Sequence, residues 1–398
     1  MKLQIALLAS IAIFSFSNIF GQEVPNEVEN IISPEIHDDQ TVTFRFYAPS
    51  ADKVEITSDF LPAVKVMGRF GEVDGPGTTP LIKNELGLWS ITTEPLESEF
   101  YSYNFSVDGI RSMDPNNPYA VRNSSSLTNF FIIGQGQGDM YKTNDIPHGS
   151  VTHRWYDSPG LEMDRRITVY TPPGYEGTDE EFPVLYLLHG AGGDEDSWST
   201  HGRSAQIMDN LIAMGKAKPM IVVMPNGNVV QDGGYGQGSN GFPKPQFILP
   251  QTMNGVYEAN FMDIVKFTEE NYRVKANKEH RAIAGLSMGG FHTMHISRYY
   301  PNTFDYVGLM SSALMPREDA TDKVYNSIDA TLKTQKENGL KLYWMAIGKT
   351  DFLYGANQEF KKKLDDIDMA YEYVETDGGH IWRNWRIYLA EFAPKLFN

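Results

Sequence analysis

The chain has 398 residues, with 51 Asp and Glu against 34 Lys and Arg and a net charge of −17 at pH 7. That surplus supplies no long-range attraction for nucleic acid or for an anionic membrane surface, which excludes charge-driven binding to either. There is no cysteine, so disulfides and cysteine lipidation at a processing site are excluded, and stability outside the cytoplasm must come from a packed core.

In chain order, Met1-Lys2-Leu3-Gln4 precedes an apolar run from Ile5 to Phe20 broken only by Ser and Asn, and then Gly21-Gln22. The run is short for a bilayer span and leads into polar, Pro-containing sequence. It reads as an export signal over 1–22, cleaved near Gly21 or Gln22, which expects a periplasmic or secreted protein without stable membrane insertion. Over 23–133 the pattern has period two. Val42, Phe44 and Phe46 alternate with Thr43, Arg45 and Tyr47, and Tyr101, Tyr103, Phe105 and Val107 alternate with polar residues before a turn at Asp108-Gly109. Short alternating segments with turn signals predict a small all-β, immunoglobulin-like sandwich. Gly134-Gln135-Gly136-Gln137-Gly138-Asp139 opens a linker over 134–145, expected to be flexible.

From 146 to 398 strands alternate with helices. Strands are predicted at 166–170, 184–188, 220–224, 282–284, 306–310, 342–346 and 371–374, and helices at 205–214, 260–271, 291–300, 358–367 and 382–397. Several strands are continuous apolar runs, as required when both faces of a sheet are covered, so this domain is predicted to be α/β with a mostly parallel central sheet.

The chemistry centres on Gly285-Leu286-Ser287-Met288-Gly289-Gly290. A buried strand precedes it and a helical segment follows, so the tight turn lifts the Ser287 hydroxyl out of the sheet as a candidate nucleophile. The Met288 N–H is then one candidate donor to a developing oxyanion. Serine needs a base oriented by a carboxylate, in the chain order Ser, acid, His. His380 in Asp377-Gly378-Gly379-His380 is the histidine that follows the last strand, and Asp351 follows the strand at 342–346, with Asp377 in reserve. The second oxyanion donor is expected in His189-Gly190-Ala191-Gly192-Gly193, from Ala191 or Gly192, with His189 holding the loop. His292 and His295 share a helix face and read as packing residues, not metal ligands.

The stretch from Pro225 to Asn254, rich in Gly, Asn and Gln, is too long for an ordinary connection and is expected to wall the site. Tyr235, Phe242 and Phe247 in it, and Trp382 beside the base, are candidate substrate contacts. Gly236-Gln237-Gly238-Ser239-Asn240-Gly241 has dinucleotide-fingerprint spacing, but Phe242-Pro243 follows in place of a helix, so a nucleotide site is rejected.

These motifs together resemble carbohydrate esterase family 1, the feruloyl and acetyl xylan esterases of the esterase-D-like α/β-hydrolases. The resemblance runs from about 146 to 385 through Ile146-Pro147-His148-Gly149, Val169-Tyr170-Thr171-Pro172-Pro173-Gly174-Tyr175, Leu187-Leu188-His189-Gly190-Ala191-Gly192-Gly193, Asp209-Asn210-Leu211-Ile212-Ala213, the serine turn and Gly379-His380-Ile381-Trp382. It implies a serine ester hydrolase with Ser287, Asp351 and His380 as its triad, acting through an acyl-enzyme without metal or cofactor. The implied partner is an esterified polysaccharide or oligosaccharide such as xylan. Through Phe44-Arg45-Phe46-Tyr47-Ala48-Pro49 and Asp114-Pro115-Asn116-Asn117-Pro118-Tyr119-Ala120, the first domain resembles the early-set, glycogen-binding-like modules fused to such esterases. A structural or lid-forming role is expected of it ahead of direct sugar binding. A siderophore trilactone esterase is the enzymatic alternative, although the acidic chain disfavours its anionic substrates. A catalytically silent carbohydrate-binding protein is the non-enzymatic one.

Overall fold

Alternation in the first domain turns one side of each strand inward. The computed structural model describes residues 31–398 apart from 69–70, 240, 243, 317–319 and 321. The expected export signal lies outside the described residues. One antiparallel sheet runs Glu35–Ile36, Val42–Tyr47, Leu88–Thr92, Ile82–Lys83, and the other Ala120–Arg122, Leu127–Ile132, Phe100–Val107, Val54–Ser58, Gly77–Pro80. Phe44, Phe46 and Trp89 of the first sheet meet Tyr101, Tyr103, Phe105 and Phe131 of the second in one buried cluster. Phe44 and Tyr103 pack edge to face at 4.9 Å, the arrangement favoured by the ring quadrupole. A separate hairpin, Val64–Gly68 with Gly71–Gly75, extends from the sandwich.

The second domain is an eight-stranded sheet: β1 Ser150–Ser158, β2 Met163–Thr171, β3 Val184–Leu188, β4 Ile221–Pro225, β5 Arg281–Leu286, β6 Tyr306–Met310, β7 Leu342–Gly348 and β8 Glu372–Thr376. Their spatial order is β1-β2-β4-β3-β5-β6-β7-β8, antiparallel at the β1-β2 and β2-β4 pairs and parallel elsewhere. Val184, Tyr186 and Leu188 of β3 enter one buried layer while Leu185 and Leu187 enter the other. Both faces are thus covered, and β3 is apolar throughout for that reason. The principal helices are α1 Ser204–Ala213, α2 Met262–Asn271, α3 Met288–Tyr299, α4 Ile328–Glu337, α5 Tyr354–Asp366 and α6 Trp382–Phe392. No described helix is long and apolar enough to cross a membrane.

Three elements escape the sequence pattern. Strand β1 is an edge strand exposed over most of its length, so it carries no buried stripe to betray it. Helix α4 buries only Leu332 and Gln335 along its length. The protruding hairpin is similarly exposed.

The segment 134–145 also departs from expectation, since it is clamped where a flexible linker was expected. Gln137–Tyr141 forms a 3₁₀ turn, Tyr141 is fully buried, and the Asn210 amide donates to the carbonyls of Met140 and Lys142, each at 3.2 Å. These backbone acceptors, satisfied by a buried side chain of α1, tie the Gly-rich segment to that helix. Phe100 and Val121 of the sandwich join the buried cluster beneath α1 and α6, so the two domains share part of one core.

Candidate active site

Ser287 directly follows β5 and caps α3, with φ 53° and ψ −114°. A non-glycine residue there carries about 1–3 kcal/mol of backbone strain, tolerated only where its surroundings over-determine it. Here they do. The Ser287 N–H donates to the Met310 carbonyl at 2.9 Å, and the Ser287 carbonyl accepts from the N–H groups of Phe291 and Ala313, both at 3.1 Å. The flanking glycines are required by close approach. A Cβ on Gly285 would sit 2.3 Å from the Gly289 carbonyl oxygen, and one on Gly289 would sit 2.4 Å from that of Leu188.

His380 follows β8 and precedes α6. Its Nδ1 lies 2.9 Å from Oδ2 and 3.1 Å from Oδ1 of Asp351. A proton on Nδ1 satisfies that contact and leaves Nε2 free to accept another. The Asp351 carboxylate is buried and also accepts from the Leu353 N–H at 2.9 Å. The His380 ring is fixed by Phe352 at 4.5 Å and by the perpendicular Trp385 at 4.9 Å. Asp377, the reserve acid, is turned out to solvent against Lys349.

Ser287 and His380 line one cavity of about 780 Å³ together with Gly190, Ala191, Gly192 and Gly193. The last four residues form a turn closed by Gly193 N–H to Gly190 carbonyl at 3.1 Å, with Gly192 at φ 77°. The N–H groups of Ala191 and Gly192 meet no protein acceptor among the described residues. Met288 supplies the first N–H of α3, which has no intrahelical acceptor. His189 anchors the turn: its Nδ1–H donates to the Gly190 carbonyl and its Nε2 accepts from the Gly227 N–H, each at 2.8 Å. Burial holds its pKa below the usual histidine range, which keeps the ring in the neutral form this pair of bonds needs.

The expected substrate contacts divide. Trp382 lines the cavity, stacked on His201 at 5.3 Å and set edge-on to Trp198 and Trp385. Phe247 also lines it, and its ring lies where a side chain on Gly192 would fall. Tyr235 and Phe242 are absent from the lining. The Tyr235 hydroxyl ties its own loop together by accepting from the Gln246 N–H at 2.9 Å. Phe242 is 94% exposed beyond the left-handed Gly241. A structural or lid-forming role was expected of the sandwich, but the residues that make it were not identified from sequence: Leu61, Ala63, Val73, Pro76, Tyr101 and Ser125 face the same cavity. Nothing in their local pattern signals this, because the contact is made by docking of the domains.

His292 and His295 are fully buried on α3. His292 Nδ1 pairs with Glu258 at 2.8 Å, and the His295 Nε2–H donates to the Leu314 carbonyl at 3.2 Å, as packing residues would.

His201, at the domain junction, donates from Nε2 to the Arg122 carbonyl at 3.1 Å, and burial pulls its pKa down to about 4. A histidine depressed from 6.5 to about 4 is protonated first in the unfolded chain. Its contribution is therefore complete above pH 6.5 and is lost as pH falls toward 4. Denaturant titrations between these limits should show stability falling with acid in the native chain and a shallower slope in His201→Phe. An unchanged slope would reject this assignment.

The esterase family profile, described as "Putative esterase", matches residues 158–396, more than half of the chain. The chain belongs to this family. Among its relatives, an endo-1,4-beta-xylanase/feruloyl esterase from Xylanibacter ruminicola is 30% identical over 369 residues, and the match covers 92% of this esterase but only 46% of the relative. An acetyl esterase from Caldicellulosiruptor saccharolyticus is 26% identical over 243 residues, covering 53% of this esterase and 82% of the relative. Among solved structures, a ferulic acid esterase superposes with a TM-score of 0.51 at 28% identity, covering 62% of this esterase and 97% of that chain. The enterobactin esterase from Shigella flexneri shares the fold over 90% of this esterase and 93% of its own chain, with a TM-score of 0.60 at 16% identity. This esterase-family chain has an α/β-hydrolase domain preceded by a β-sandwich.

Proposed function

We propose that the esterase is exported and removes feruloyl groups, ahead of acetyl groups, from plant cell-wall polysaccharide such as arabinoxylan. The observation that carries the reading is the buried Asp351–His380 pair opening into the same cavity as Ser287 and the unpaired N–H groups of Ala191 and Gly192. The likeness to a relative named as a xylanase/feruloyl esterase supports the substrate class. So do Phe247, Tyr101 and Trp382 in the lining, which offer flat apolar surface to an aromatic acyl group.

In this reading the Ser287 Oγ attacks the ester carbonyl while His380 Nε2 takes its proton. The oxyanion is met by the N–H of Met288 and that of Ala191 or Gly192. Collapse of the tetrahedral species breaks the bond to the sugar oxygen, which leaves with the proton from His380. Water, deprotonated by the same histidine, then releases the acid and restores Ser287. Asp351 stabilises the transient imidazolium.

Methyl ferulate, acetylated xylan and a catecholate trilactone share this chemistry and differ in the pocket they need. The highest kcat/KM is expected on methyl ferulate, with release of ferulate from arabinoxylan. Hydrolysis confined to the trilactone would replace this reading with that of a siderophore esterase, whose two-domain fold this chain shares.

A further inference from the structure

The sandwich touches two of the segments that carry the chemistry, and it does so through polar contacts. Beyond its strand Ala120–Arg122, the Ser124 N–H donates to the Gly192 carbonyl at 2.9 Å. The Arg122 guanidinium pairs at 2.7 Å with Asp194, a buried residue directly after the Gly-rich turn. On the other side, Arg386 of α6 is almost fully buried and donates to Glu99 and to the Phe100 carbonyl, both at 3.2 Å. Arg383 reaches the same Glu99 at 3.2 Å. Helix α6 begins at Trp382, two residues after His380.

The consequence is sharpest at the turn 190–193. Three of its four residues are glycine, so its own backbone preferences leave many orientations open. The peptide unit between Gly192 and Gly193 is pinned at both ends, its carbonyl by Ser124 and its N–H by Gly190. Phe247 and the Ser124 side chain both crowd the space a side chain on Gly192 would occupy. Of these partners, Ser124 belongs to the other domain. The direction of the Ala191 and Gly192 N–H groups is thus set in part by residues outside the hydrolase fold.

We propose that the sandwich is part of the catalytic unit. Arg122 and Ser124 are positioning residues that hold the oxyanion turn, so turnover depends on them even for esters too small to need a polysaccharide-binding surface. The inference rests on the reading of Ala191 or Gly192 as an oxyanion donor. It differs from a substrate-binding role for the domain, under which small esters would be hydrolysed normally and only polymer would suffer.

The test uses the full-length chain with p-nitrophenyl acetate and methyl ferulate. In Arg122→Ala, kcat on both is expected to fall about 10- to 100-fold, the scale of a modest misplacement of catalytic groups, with KM changed less than about twofold. Labelling of Ser287 by a fluorophosphonate, whose adduct places an oxygen in the same hole, should slow by a similar factor. Arg122→Lys, which can still reach Asp194, should recover most of the loss. Ser124→Pro removes the N–H donor itself and should reproduce the kcat defect, so the proposal stays testable if Arg122→Ala folds poorly. Wild-type kcat on small esters in folded Arg122→Ala or Ser124→Pro, with or without a loss on arabinoxylan, would overturn the inference. Ser287→Ala serves as the reference: if it stays active, the triad reading has failed, whereas an inactive Ser287→Ala beside a fully active Arg122→Ala rejects only the role of the sandwich.

Discussion

Ser287→Ala is expected to lower kcat on methyl ferulate by about 10⁴- to 10⁶-fold. The large factor follows from geometry. The serine sits directly after β5 in a conformation held by three backbone hydrogen bonds, and alanine keeps all three. The elbow, the oxyanion N–H groups and the Asp351–His380 pair therefore remain in place while the attacking oxygen is gone. Residual rate enhancement by the hole and by substrate binding sets the floor. Circular dichroism and thermal unfolding should be near those of the native chain, since one hydroxyl is lost at an already strained position. Turnover above about a tenth of the native rate would remove Ser287 from the mechanism.

Asp351→Asn is the second large effect, with kcat expected to fall about 10³- to 10⁴-fold. Asparagine can keep its carbonyl on the Leu353 N–H, where Asp351 Oδ1 now accepts at 2.9 Å. Its amide then faces His380 Nδ1 as a donor. That nitrogen must become the acceptor, the proton moves to Nε2, and the ring loses the lone pair that would deprotonate Ser287. Substrate affinity should change little, because the carboxylate lies behind the histidine. The control is Asp377→Asn. Asp377 is 93% exposed in its side chain and, among the described residues, pairs with Lys349 at 3.0 Å, so turnover of this variant should stay within about twofold of native, as surface substitutions usually do. A large loss at Asp377 with little at Asp351 would exchange the two assignments.

Much of this architecture can be read from the chain. The parallel strands β3 and β6 are visible because both their faces are buried, which leaves runs such as Val184-Leu185-Tyr186-Leu187-Leu188 with no polar interruption. The elbow is visible because a serine lifted from a strand into a helix needs glycine where backbone meets backbone, and Gly285 and Gly289 meet carbonyl oxygens that leave no room for a Cβ. His380 and Asp351 are visible because each follows a strand of the same sheet. Strand β1 was hidden, since an exposed edge imposes no pattern. Phe242 misled because an aromatic residue in a Gly-rich loop looks alike in sequence whether it enters a cavity or faces water.

By itself the sequence determined the two domain types, the place of the serine turn and the order in which the candidate acid and base follow it. These depend on local periodicity, on glycine at sites of close approach, and on where strands end. Tertiary structure alone decided that the segment 134–145 is clamped and that Leu61, Tyr101 and Ser125 of the sandwich wall the cavity. Each of those is a contact between residues far apart in the chain. It is set by how buried surfaces and paired charges such as Glu99 with Arg386 dock the domains, and no local pattern encodes that.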